Sequence, residues 1–145
     1  MSSGKSGKNK IEMAPQAGSG QKKSYVVAGA TISCSFGSQS SRLSSPMSHG
    51  VFIKGKPLMN IMDYIPNVNI MPFGTCGSMQ NPVVAAATAA NNGVLQRMPC
   101  MPMITIPWLG GKTDKRVDNV PSLLNDSTNM CMFCGQIKVE NDGQN

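Results

Sequence analysis

Glycine and proline interrupt this chain at short intervals and limit how long any regular element can be. The sequence holds 15 Gly and 10 Pro in 145 residues, and aromatic residues make up only 5%. Both residue types end or bend regular structure, so the pattern favours many turns and short strands. The length fits one domain. We therefore predict a mainly β fold built from short hairpins.

One segment departs from this pattern and is typical of a helix. It reads NPVVAAATAANNGVL and begins with Asn81, a good N-cap, and Pro82, which suits the first helical position. Five alanines favour the helix interior. Asn92 and Gly93 supply a left-handed C-terminal cap. Because nearly all its residues are small or apolar, we expect this helix to be buried or clamped between other parts.

The segment VFIKGKPLMNIMD, from Val51 to Asp63, predicts a β-hairpin. Residues 51–53 are good strand formers, the Gly-Lys-Pro at 55–57 breaks the run, and Ile61 and Met62 resume it. A further short strand is expected over residues 67–73, between two prolines.

The positive charge of the chain is concentrated at its N-terminus. Five lysines precede residue 25 and only Glu12 opposes them, so residues 1–24 supply +4 of the net +6. These residues predict a flexible basic arm, and residues 25–145 predict the folded domain. Aromatic and basic residues do not alternate in the remainder, which disfavours a nucleic-acid partner.

Two features of the composition point to a surface that meets a partner. Charged residues make up only 14%, below the roughly 25% typical of globular chains. Twelve methionines suit an adaptable contact surface, although a methionine-rich core is an equally good interpretation. The first residues lack the apolar core of a signal peptide, so we expect synthesis and retention in the cytoplasm.

Five cysteines are spread through the chain, and the residues alone leave their role open. A disulfide framework is disfavoured, because the count is odd and no secretory signal precedes it. Plain buried thiols are one alternative. A structural zinc site is the other, since four thiolates can join loops that share little core. Cys131 and Cys134 form the one Cys-x-x-Cys pair, and His49 is the single histidine.

The chain is not predicted to be an enzyme. A nucleophilic cysteine would have to use His49 as its base. The sequence contains no nucleophile-elbow, phosphate-loop or His-Glu-x-x-His motif.

Five segments together resemble the PAAR-like proteins, a family long described as a domain of unknown function. The likeness runs from about Tyr25 to Val139, through ISCSFG, VFIKGKPLMNIMD, NIMPFGTCGSMQNPVVAAATAANNGVL, MPCMPMITIPW and CMFCGQIKV. The run FG-x-C-x-S-x-x-NP, followed by an alanine-rich helix and PC-x-P, is not a generic pattern. The hairpin also resembles the V-x-x-x-G-x-P-A-A-R-x-x-D unit of PAAR domains.

The resemblance implies a small conical β domain that caps the trimeric spike of a contractile injection machine. Such machines include type VI secretion systems and extracellular phage-tail-like particles. One tip would sit on each spike trimer, sharpen it for membrane puncture and carry effector cargo. The tip would contact the target membrane transiently, after assembly in the cytoplasm and release on contraction.

The resemblance also implies a metal site. PAAR domains usually bind zinc mainly through histidines, and this chain has one. The implied zinc ligands are therefore Cys34, Cys76, Cys100 and Cys131, with Cys134 and His49 as alternates. Cys134 falls where the family more often has a small residue such as Gly or Ala. The alternative function is a small zinc-stabilised cytosolic adaptor that is unrelated to injection.

Overall fold

The computed structural model describes residues 23–144 and the backbone of residues 11–12. Most of the predicted arm over residues 1–24 therefore lies outside the described residues. Strands of two to six residues dominate, and a helix of nine residues accompanies them, which confirms the mainly β prediction. The elements are β1 (Ile11–Glu12), β2 (Thr31–Cys34), β3 (Ser41–Arg42), β4 (Val51–Ile53), β5 (Lys56–Pro57), β6 (Thr75–Cys76), α1 (Pro82–Ala90), β7 (Met98–Pro99), β8 (Lys112–Val117), β9 (Val120–Ser122), β10 (Thr128–Met130) and β11 (Gln136–Asn141).

The strands form several small sheets. The largest has the order β10-β11-β2-β3 and is antiparallel throughout. A second has the order β1-β4-β5, in which β1 runs parallel to β4. The pairs β6-β7 and β8-β9 complete the set among the described residues. No sheet is wide, so packing between sheets has to supply most of the core.

The β4–β5 hairpin forms, but its turn lies earlier than predicted. Lys54 and Gly55 occupy the turn with φ of 54° and 78°, the left-handed pair that two-residue hairpin turns require. The second strand is therefore Lys56–Pro57. The expected strand at Ile61 and Met62 is wrong. Pro57 is tolerated because β5 is an edge strand.

The hairpin segment ends in a buried polar junction at Asp63. Its carboxylate accepts the Asn60 backbone N–H at 2.8 Å and lies 2.9 Å from Nε2 of His49. Its backbone carbonyl accepts the Trp108 indole N–H at 3.0 Å. Asp63 is only 7% exposed, and these bonds satisfy the groups that its burial removes from water. The junction thus fixes the hairpin against the segment that carries Trp108.

The strand predicted over residues 67–73 does not form. The Ile65 carbonyl accepts the backbone N–H groups of residues 68–70 at 2.8 to 3.2 Å, and Asn67 has a φ of 64°. The segment is therefore a tight turn. Ile70 and Phe73 are both buried in the core, and Ile70 makes only isolated bridges, one of them with Leu43. Their apolar character therefore reflects packing more than the pairing of a continuous strand.

Helix α1 has the predicted ends and an unpredicted location. The Asn81 side chain accepts the Val83 N–H at 3.0 Å, and Asn92 and Gly93 have φ of 58° and 81° beyond its C-terminus. The expected burial is wrong, because the two buried residues of the helix are Val84 and Thr88. Alanine is small enough to be helix-forming without being buried, which explains why composition misled the prediction.

The core divides into two clusters of buried side chains. The larger gathers residues from β2, β11 and the segments between strands: Val26, Ala30, Ile32, Leu43, Met59, Ile70, Phe73, Ile104, Trp108, Leu123, Cys131 and Ile137. The smaller lies beneath the β4–β5 hairpin: Tyr25, Val27, Ile53, Leu58, Val117 and Leu124. The first cluster contains Cys131 and contacts Cys34 and Cys100. The cysteines therefore border the main core.

The exposed face of α1 should tolerate a larger side chain. Ala86 is exposed, and Leu is nearly as good a helix former. We expect Ala86→Leu to change the free energy of unfolding by less than about 0.5 kcal/mol. Val84→Ala is the matched control and should cost about 1–3 kcal/mol, because Val84 is fully buried. Urea unfolding measures both, and an equal loss in the two variants would contradict the surface location.

Candidate metal centre

Four of the five cysteines lie where a short strand ends. Cys34 and Cys76 are the last residues of β2 and β6. Cys100 and Cys131 follow directly after β7 and β10. Strand ends leave side chains free to turn towards a common point, and the packing of the sheets decides whether they meet.

The four thiols form two pairs, each built on its own sheet. Cys34 pairs with Ile137 of β11, and the Cys131 N–H donates to the Gly135 carbonyl at 2.8 Å, immediately before β11. These two cysteines belong to the four-stranded sheet. Cys76 pairs with Met98 in the β6–β7 sheet.

Cys100 completes the second pair. Its N–H donates to the Gly74 carbonyl at 2.8 Å, just before β6. The β6–β7 sheet thus carries Cys76 and Cys100, as the four-stranded sheet carries Cys34 and Cys131.

All four thiols line one cavity of about 20 Å³. A space of this size holds about one water-sized body. The remaining lining is mainly apolar and consists of Phe36, Gly37, Phe73, Ser78, Met101, Pro102, Phe133, Gly135 and Ile137. The lining contains no carboxylate and no imidazole, so sulfur is its dominant electron-pair donor. The structure thus brings together the four cysteines singled out from the sequence.

The thiols share this space without forming a closed coordination sphere. Within residues 23–144, no three His, Cys, Asp or Glu side chains are arranged so that they could already hold a metal ion. The four sulfur donors are of the kind that soft metals prefer. In this structure they line a cavity and do not form a coordination sphere.

Burial and neighbouring sulfurs oppose ionisation of Cys34 and Cys100. Burial is the main cause that raises the pKa of Cys34, and the neighbouring Cys131 and Cys76 raise it further. Burial likewise raises the pKa of Cys100, with the other three cysteines adding to the effect. In the metal-free chain, these two groups therefore hold their protons more tightly than ordinary thiols do.

Backbone N–H groups act in the opposite direction by pointing at sulfur. Those of Phe36 and Gly37 lower the pKa of Cys34, and that of Phe73 lowers the pKa of Cys100. The Ser78 N–H donates to Cys76 Sγ at 3.4 Å. At Cys34 and Cys100, such donors favour the thiolate form, which suits sulfur whose charge a cation compensates.

His49 and Cys134 lie outside the cavity lining. The two ring nitrogens of His49 face carboxylates, with Nε2 2.9 Å from Asp63 and Nδ1 3.4 Å from Asp118. Cys134 is exposed and has a φ of 72° in a turn closed by its N–H to the Cys131 carbonyl at 2.9 Å. A backbone conformation with positive φ is most easily adopted by glycine. This agrees with the small residue that the family more often has at this position.

Three residues that the sequence did not single out shape the cavity. A side chain at Gly135 would place its Cβ 2.6 Å from Cys34 Sγ, so only glycine fits there. Ser78 and Arg97 make side-chain hydrogen bonds to the loops that carry the cysteines. The signals were the Gly directly after Cys-x-x-Cys and the Ser in the run C-x-S, whereas nothing in the sequence marked Arg97.

The family model for DUF4280, a domain of unknown function, matches residues 26–144. The match covers most of the chain, which therefore belongs to this family. No curated protein matches the chain, and no solved structure does. Within the described residues, no helix is long and apolar enough to cross a bilayer.

The raised thiol pKa values predict that the metal-free protein loses stability in alkali. Unfolded thiols ionise near pH 8.5, whereas folded Cys34 and Cys100 stay protonated to higher pH. The stabilisation that these two protonated thiols contribute is therefore complete below about pH 8.5. It is lost as the pH rises through their raised pKa values. Urea unfolding with chelator and reductant should show stability declining as the pH rises above about 8.5. The double variant Cys34→Ser, Cys100→Ser should decline less steeply, and equal slopes would contradict the assignment.

Proposed function

We propose that this member of the DUF4280 family is the tip protein of a contractile injection machine, where it caps the trimeric spike. The resemblance to PAAR-like proteins motivates the proposal. The observation that carries it is the shared cavity of four cysteines, since the resemblance implied those four as ligands and 97 positions separate the first from the last.

The donor set of this cavity suits zinc. Zinc in structural sites takes four ligands, and thiolates are among its preferred ones. Cys34 and Cys131 would hold it from one sheet, and Cys76 and Cys100 from the other. Bound zinc would tie together two sheets whose strands are not paired with each other. Four thiolates would fill its coordination sphere and leave no open position of the kind that a catalytic metal keeps, which supports a structural role.

A tip must resist deformation when it is driven forward. This chain offers short strands joined by hydrogen-bonded turns, which limit bending. The buried Asp63 junction holds the β4–β5 hairpin through His49, Asn60 and Trp108. Apparent zinc contributions in small metal-folded peptides are about 10–16 kcal/mol, enough to dominate the stability of a domain this size.

The surface composition supports a protein partner. Arg97 is the one charged residue between positions 64 and 111, and three hydrogen bonds to Phe36 and Thr75 engage its guanidinium. Four methionines near this region are 42–64% exposed: Met101, Met103, Met130 and Met132. Flexible, uncharged side chains suit a partner that presents three identical faces to one chain. Effector cargo is a second proposed partner of the same tip.

Purified protein should contain about one zinc per chain. Changing Cys34, Cys76, Cys100 or Cys131 to Ser should lower the melting temperature by about 5–10 °C, the shift that roughly 2 kcal/mol produces at this size. Cys134→Ser is the matched control and should have little effect, because Cys134 lies outside the cavity lining. Elemental analysis and thermal unfolding measure both effects. Folded protein that is purified without chelator and still contains no metal would refute the zinc site.

The complex with the spike should contain one copy of this chain per trimer. A single cone on a three-fold axis has to meet three identical faces with three different ones, so a second copy has no room. Native mass spectrometry of the co-purified complex measures the ratio. A stable three-to-three complex would rule out this arrangement, and failure to co-purify with any trimeric spike would favour the cytosolic adaptor.

A further inference from the structure

The two pairs of thiols lie on different sheets, so something must set the distance between them. The four-stranded sheet carries Cys34 and Cys131, and the β6–β7 sheet carries Cys76 and Cys100. Backbone hydrogen bonds join the two parts at two places. The loop after Cys34 is bonded to β6, where the Gly77 N–H donates to the Phe36 carbonyl at 3.0 Å, and the Met132 N–H donates to the Met103 carbonyl at 2.8 Å. Side-chain bonds across this boundary add to these contacts.

The first such bond comes from Ser78. Its hydroxyl donates to the Phe133 carbonyl at 2.5 Å and accepts the Gln80 N–H at 3.2 Å. The Ser78 side chain thus joins the segment after Cys76 to the turn after Cys131. Ser78 is 1% exposed, so water cannot replace the bond.

The second set of bonds comes from Arg97, directly before β7. Its Nη2 donates to the Phe36 carbonyl at 2.7 Å and to the Thr75 carbonyl at 2.9 Å. Its Nε donates to Thr75 Oγ1 at 2.9 Å. The guanidinium therefore joins the loop after Cys34 to the residue before Cys76.

Both side chains hold a carbonyl at the same position relative to a cysteine. Phe36 lies two residues after Cys34, and Phe133 lies two residues after Cys131. Holding these two carbonyls fixes how each loop passes the cavity.

We propose that Ser78 and Arg97 are positioning residues of the metal centre, which keep the two cysteine pairs around one cavity before the metal arrives. The inference rests on the proposed zinc site and names the residues that prepare it. Groups that orient metal ligands from outside the coordination sphere typically contribute 10–100-fold to metal affinity. A preorganised cavity avoids the ordering cost at the moment of binding.

The test compares zinc affinity between variants of the full chain. Ser78→Ala and Arg97→Met should each weaken zinc binding about 10–100-fold, measured by competition with a chromophoric chelator in reducing buffer. Arg97→Lys should fall between wild type and Arg97→Met, since an ammonium lacks the fork that reaches two carbonyls. Cobalt substitution should give weakened tetrahedral absorption bands in the affected variants.

Matched controls separate positioning from general stability. Ser127→Ala removes another fully buried hydroxyl with backbone bonds, and Arg116→Met removes a guanidinium that bonds the Asn119 carbonyl. Both should keep zinc affinity within about twofold of wild type, a difference below about 0.5 kcal/mol. Affinity is measured below the melting temperature of every metal-free variant, where a purely structural loss does not alter binding by the folded state.

Each outcome decides a different question. Unchanged affinity and cobalt spectra in Ser78→Ala and Arg97→Met would overturn the positioning role and leave the zinc site intact. Absence of zinc binding by the wild-type chain would overturn the zinc site itself. Should Ser78→Ala not fold, the two Arg97 variants decide, because Arg97 is only half-buried and its truncation leaves the core intact.

Discussion

The buried carboxylate of Asp63 is the interaction on which the arrangement of this domain depends. It holds the chain after the β4–β5 hairpin through the Asn60 N–H, and it receives His49 from before that hairpin. The backbone carbonyl of Asp63 accepts the indole N–H of Trp108, which is 1% exposed and lies in the main core. Cys100 lies eight residues before Trp108, so the same stretch of chain contacts both the junction and the thiol cavity. A carboxylate this buried is tolerated only because its oxygens are bonded.

Local chemistry predicted the features of this molecule that depend on neighbouring residues. Asn81, Pro82 and the Asn-Gly pair set the limits of α1 because capping involves only a few adjacent groups. The hairpin at 51–63 was predicted, but its turn was not, because Lys54 adopts a left-handed conformation that its residue type does not suggest. The strand predicted over residues 67–73 was wrong, because Ile70 and Phe73 are each buried in the core outside the strands.

The sequence indicated which cysteines form the candidate site, but it did not indicate how the fold brings them together. Resemblance supplied Cys34, Cys76, Cys100 and Cys131, whereas spacing alone left several interpretations open. The pairing of β2 with β11 and of β6 with β7 decides which cysteines share a sheet. The first pair is distant in sequence and the second is separated by α1, so neighbouring residues do not reveal either pairing. Arg97 could not be found because its partners are backbone carbonyls, which every residue has.

The conformation of Cys134 has a practical consequence. Among the five cysteines it alone is exposed, and it projects from a turn that is anchored to Cys131. Alkylating reagents reach an accessible sulfur faster than sulfurs enclosed by aromatic rings and methionines. A fluorophore or spin label can therefore be attached to the native chain at one defined point, without first removing the other thiols. That point lies beside the cavity on a short, hydrogen-bonded turn, so the label would follow the motion of the protein instead of its own linker.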